Sequence, residues 1–117
     1  MIFIASPYLH DDPEVMEHRY LTVEQYVAEC LFKGECVISP IVTYHHMANR
    51  FDMRKDYKFW KEVNHDLVER SDSIRILMLP DWRESKGVLD ELALSSYINL
   101  PIEFIEYSLC PLSPPSI

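Results

Sequence analysis

The order of apolar segments along the chain predicts an α/β domain built on a parallel sheet with helices on both faces. Two observations carry this. Short apolar runs alternate with longer segments of helical period from one end to the other, and three of the runs stop at a proline or a proline-containing turn, at Pro7, Pro40 and Pro80. Successive parallel strands then require right-handed crossovers.

Ile2 to Ala5 is a continuous apolar run, as expected of a strand buried on both faces, and Ser6-Pro7-Tyr8 ends it. The acidic stretch from His10 to Glu14 opens a helix in which Met16, Tyr20, Val23, Val27, Cys30 and Leu31 share one face, and Gly34 is placed for a left-handed stop. Cys36 to Ser39 is the second strand. The segment from Thr43 to about Met53 is polar and aromatic without a clear period. A helix is predicted from about Arg54 to Arg70, with Phe59, Trp60, Val63 and Leu67 inward, then a third strand from Ser73 to Leu79 and a loop over Asp81 to Glu84. Ser85 caps a helix running to about Tyr97, with Val88, Leu89, Leu92 and Ser96 on one face. Asn99-Leu100-Pro101 breaks it, and Ile102 to Tyr107 is the fourth strand. One domain over residues 1–110 is expected, followed by a proline-rich tail, 111–117, outside the core or reaching a neighbour.

The composition removes several function classes. The 117 residues include two glycines, Gly34 and Gly87, where roughly eight are usual for this length, so neither a dinucleotide fingerprint nor a glycine-rich phosphate loop is present. A net charge of −8 with scattered basic residues disfavours duplex nucleic acid as a partner and leaves a small anionic ligand in a local pocket open. Cys30, Cys36 and Cys110 form no C-x-x-C pair, as expected of reduced thiols in a cytoplasmic protein. No apolar stretch approaches the roughly 18 residues of a membrane span, and no membrane partner is expected.

In open parallel sheets ligands bind beyond the carboxyl ends of the strands, here Ser6-Pro7-Tyr8, Ser39-Pro-Ile41, Leu79 to Trp82 and the start of the Ser85 helix. Free N–H groups at that start, the Ser85 hydroxyl and a glycine permitting close approach could hold a phosphate or hydroxyl; an ordinary capped helix would show the same pattern. Glu91, one turn past Gly87 and near the positive helix pole, is expected to be ionised. A fixed carboxylate of this kind can attack an anomeric carbon. His45 could line the pocket beside His46, and no metal site is expected, since adjacent residues of a strand point to opposite faces. His10, His18 and His65 read as surface residues and Trp60 as core. Trp82 reads as a ligand or subunit contact.

Taken together, Ile-Phe-Ile-Ala-Ser-Pro-Tyr8, Ser39-Pro-Ile41, Asp66 before Ser71-Asp72, and Ser85-x-Gly-Val-x-x-Glu-x-x-Leu94 resemble the nucleoside 2-deoxyribosyltransferase superfamily. They are most similar to its small DUF1937 branch. The resemblance implies a flavodoxin-like (Rossmann-like) sheet, typically of five strands against the four legible here, and a homodimer or larger homo-oligomer without a cofactor. It also implies cleavage of the N-glycosidic bond of a nucleoside or nucleotide, with the sugar passed to water or another base. Glu91 falls on the nucleophile, Tyr8 on the residue that orients it, Asp66 near the acid that serves the base, and Ser85 with Gly87 on the loop facing the sugar 5′ end. Ser6 and Pro7 belong to the same strand exit, and His45 matches a histidine of the DUF1937 pattern. Glu84-Ser-Lys-Gly-Val departs from the transferases, which carry an aspartate shortly before the glycine, and leans toward a nucleotide. A nucleotide-binding or sequestering module without turnover is the alternative.

Overall fold

The computed structural model describes residues 1–110; the expected tail at 111–117 lies outside them. Strands β1 (Ile2–Ala5), β2 (Val37–Ile38), β3 (Ser73–Leu77) and β4 (Ile102–Ile105) form one parallel sheet in the order β2-β1-β3-β4. Ile2 pairs with Val37 on one side and Ser73 on the other, and Ile74 pairs with Ile102. This is the flavodoxin-like order, in which the direction of strand succession reverses at the β1/β3 boundary.

Strand alternation explains the layers. Phe3, Ala5, Ile74 and Ile76 point to one face, where Val68 and Val88 from the helices α3 (Tyr57–Glu69) and α4 (Lys86–Tyr97) cover them. Ile4 and Leu77 point to the other, against Val23, Tyr26 and Cys30 of α1 (Pro13–Phe32). Burying each of the large side chains contributes about 1.5–3 kcal/mol. Arg75 is a charged residue on a central strand: its guanidinium grips both oxygens of Glu35, reaches Glu103 of β4 at 3.2 Å and holds Glu35 below the usual carboxylate range.

Local signals set the helix ends. The Asp12 carboxylate accepts from the Glu14 N–H at 2.9 Å with Pro13 in the first turn, and Gly34 stops the chain at φ 80° as its position suggested. Among the described residues no helix is long and apolar enough to cross a membrane.

Four expectations are corrected. The aperiodic segment is a helix, α2 (Pro40–Arg50), started by Ser39, whose hydroxyl accepts from the Val42 N–H, with Pro40 behind it. Its buried residues are Pro40, His45 and Ala48, too few and too polar to give an apolar period. Helix α3 starts at Tyr57 rather than Arg54 and faces inward with Asn64 and Val68, leaving Phe59 and Val63 about 40% exposed. Helix α4 buries Val88, Glu91 and Ser95, so Leu89 and Ser96 face outward. Leu31 of α1 is exposed as well, while Tyr26 is buried on the inner face.

Candidate functional site

At the carboxyl end of β1 the chain opens a cleft of about 640 Å³, within the range of small-ligand sites. The strand exit supplies Ser6 and Tyr8, α2 supplies Tyr44 and His45, α3 supplies Tyr57, Trp60 and Asn64, and α4 supplies Ser85, Gly87 and Glu91.

Glu91 is almost wholly buried, because α4 turns it inward beside Val88 and Ser95. The Asn64 amide donates to its Oε2 at 2.9 Å. Burial pushes the carboxyl up to about 8; Asn64 and the Tyr57 hydroxyl pull it down, and Asp90 pushes it further up. The expected ionised carboxylate is therefore corrected to one held toward its neutral form at pH 7. Glu91 lies beyond the first turn of α4, where the helix pole has lost its effect and desolvation dominates.

Gly87 is explained by Tyr57. A Cβ at Gly87 would lie 2.9 Å from Cδ1 of the Tyr57 ring, so the close approach that this glycine permits is that of a tyrosine. Seated there, Tyr57 donates its hydroxyl to Asp90 Oδ2 at 2.9 Å, an oxygen that His65 Nε2 also meets. The Ser85 hydroxyl accepts from the Val88 N–H at 3.2 Å. No hydrogen-bond acceptor among the described residues meets the N–H groups of Lys86 and Gly87.

On another wall Tyr8 O–H meets His45 Nδ1 at 2.6 Å, and His45 Nε2 meets Glu17 Oε2 at 2.7 Å. Burial, with Glu17 adding, raises the Tyr8 hydroxyl to about 12. Tyr44 and Trp60 stack with ring centroids 5.2 Å apart. Ser6 Oγ and Asn64 Oδ1 are buried without a hydrogen-bond partner. Among the described residues no three His, Cys, Asp or Glu side chains gather to hold a metal ion.

The family model for a domain of unknown function, DUF1937, matches residues 1–106. The chain belongs to the DUF1937 family. No curated protein matches it. The match spans every element from β1 to β4, so the whole cleft lies within the DUF1937 domain.

Of the residues expected at the site, this DUF1937 cleft brings together Ser6, Tyr8, His45, Ser85, Gly87 and Glu91. Three fall elsewhere. Asp66, midway between the inward Asn64 and Val68, sits on the outer side of α3 and pairs with Arg70 at 3.0 Å. Pro7 is fully buried beneath the strand exit rather than lining the cleft. Trp82 stands in a single 3₁₀ turn (Trp82–Glu84) beside Phe104 of β4, with the Arg83 guanidinium 4.9 Å from its ring. The contact expected from Tyr8 to Glu91 is made by Asn64, while Tyr8 bonds His45. Trp60, read as core, lines the cleft.

Tyr57, Asn64 and Glu17 were missed. Asn64 had a signal, a polar residue between Trp60 and Val68 at helical spacing, that is, on the inward stripe of α3. Tyr57 and Glu17 had none, since each acts on a residue far away in sequence.

Proposed function

We propose that this DUF1937 protein cleaves the N-glycosidic bond of a small nucleotide or nucleoside and passes the sugar to water or to another base, with Glu91 as nucleophile. The observation that carries the reading is a buried carboxyl, fixed by Asn64, on the floor of a ligand-sized cleft at the β1 exit. The similarity of Ser85-x-Gly87-x-x-x-Glu91 to the nucleoside 2-deoxyribosyltransferases supports it.

In this reading ionised Glu91 attacks C1′, the C1′–N bond breaks with its electron pair leaving on the base, and the base nitrogen takes a proton. Water or a second base then attacks C1′ and releases the carboxylate. With its carboxyl near 8, about a tenth of Glu91 is ionised at pH 7, and positive charge developing on the sugar favours that form. Tyr44 and Trp60 offer an aromatic wall for the base, and Ser6 and Asn64 have free polar atoms for sugar hydroxyls. Asp66 faces away from the cleft and the Tyr8 proton is committed to His45, so the base nitrogen takes its proton from solvent. No cofactor takes part.

A second reading is favoured by the largely neutral Glu91: a module that binds or sequesters nucleotides without turnover. Chromatography of free base released from a panel of nucleosides and monophosphates separates the two. Release that vanishes in Glu91→Gln supports the nucleophile, full release by that variant from every active substrate rules it out, and tight binding without release favours sequestration.

A further inference from the structure

The chain carries five lysines in an acidic protein of net charge −8, and four of them, Lys55, Lys58, Lys61 and Lys86, line the one cleft at the β1 exit. Lys61 lies 3.9 Å from Asp90. The other three form no ion pair among the described residues. Of the carboxylates lining the cleft, Asp56 is held by Arg54 at 2.7 Å and Glu91 is buried, which leaves Glu84. The cleft is thus a basic inlet in an acidic surface.

The lysines follow the starts of two helices. Lys86 is the first residue of α4, and Lys55 and Lys58 flank the first residue of α3. At α3 the residue in the capping position, Asp56, gives its carboxylate to Arg54 and makes no cap, so that helix start is open as well. The two starts touch, because the Tyr57 ring lies on Gly87. Two positive helix ends therefore stand one side chain apart, each with its own lysines. Ser6 and Asn64, which also line the cleft and are more than nine-tenths buried, hold a hydroxyl oxygen and an Oδ1 that lack partners. A ligand with hydroxyl groups at one end and more than one phosphoryl group at the other satisfies all of these.

We propose that the starts of α3 and α4 form a two-pole phosphate site and that the ligand of this cleft is a nucleoside di- or triphosphate rather than a monophosphate. The α4 pole with Lys86 holds one phosphoryl group, and the α3 pole with Lys55 and Lys58 holds the next. This rests on reading the cleft as a nucleotide site and does not depend on turnover.

Calorimetric titration of the whole protein in metal-free buffer at fixed ionic strength, with nucleoside mono-, di- and triphosphates and with inorganic tripolyphosphate, tests it. Affinity is expected to rise at least tenfold from mono- to triphosphate, with tripolyphosphate competing. The Lys55→Ala/Lys58→Ala double variant, altered only in the two lysines, should lose that gain and keep monophosphate binding. Lys33→Ala, at the far end of α1, should lose nothing. Equal affinity across chain lengths, a gain that survives the double variant, or an equal loss in Lys33→Ala would overturn the proposal. Base release measured on the same samples reports the glycosidic reading separately: triphosphate bound but never cleaved upholds the two poles and defeats cleavage, whereas monophosphate cleaved with no preference for longer chains does the reverse.

Discussion

The Tyr8 hydroxyl lies 2.6 Å from Nδ1 of His45, and the opposite nitrogen of that ring lies 2.7 Å from the Glu17 carboxylate. With Tyr8 donating to Nδ1 and Nε2–H donating to Glu17, every group in the chain is used and the tautomer is set. Tyr20 stacks on His45 at 4.1 Å between centroids and 14° between planes, so the ring is held in place.

Replacing Tyr8 by Phe leaves Nδ1 of a buried histidine without its donor. A loss of about 1–2 kcal/mol in urea unfolding is expected. His45→Ala should cost more, since the stack on Tyr20 goes with the hydrogen bond. A Tyr8→Phe variant as stable as the parent would show that the contact contributes nothing to the fold.

A methyl group at Gly87 displaces the Tyr57 ring, and with it the hydroxyl that reaches Asp90. Gly87→Ala should therefore lower stability by about 1–3 kcal/mol, the usual range for overpacking, despite the better helix propensity of alanine. Combining it with Tyr57→Ala, which clears the space, should recover part of the loss relative to the sum of the single variants. Strict additivity in thermal unfolding would mean that the ring is not what Gly87 accommodates.

The two central strands were legible because both of their faces are buried: Ile2 to Ala5 read as a strand from its continuous apolar run, the segment from Ser73 to Leu79 from the apolar residues around Arg75, and prolines marked their ends. The helices around the cleft were less legible for the same physical reason that makes them interesting. Asn64, His45 and Glu91 occupy inward positions where an apolar side chain would announce the period, so α2 vanished and the inner faces of α3 and α4 were misplaced. Glu91 itself was readable from its distance to Gly87 and Ser85. The inward position of its partner Asn64 had a signal in the spacing of Trp60 and Val68, but the bond between the two helices leaves no local spacing.

Asn64 is the donor that holds Glu91 toward its charged form. Asn64→Ala removes it, so the Glu91 carboxyl should titrate higher still. Carboxyl carbon shifts followed by NMR across the pH range would report this directly. In an active enzyme the rise of base release with pH should move upward with it; an unchanged midpoint in both measurements would show that Asn64 only packs.

Glu91 also makes stability depend on pH in a definite direction. Its carboxyl is raised from 4.5 to about 8 on folding, so between those values the folded state binds more protons than the unfolded chain. The stabilisation is complete below about 4.5 and is lost as pH rises through about 8, with a slope on the order of 1 kcal/mol per pH unit. Glu91→Gln keeps the shape and an oxygen for Asn64 but cannot ionise. Its stability relative to the parent should therefore climb from about pH 5 to about pH 8 and then level off. Groups shared by the two proteins cancel in that difference, and parallel denaturation curves across the window would mean that the carboxyl is not desolvated as its burial requires.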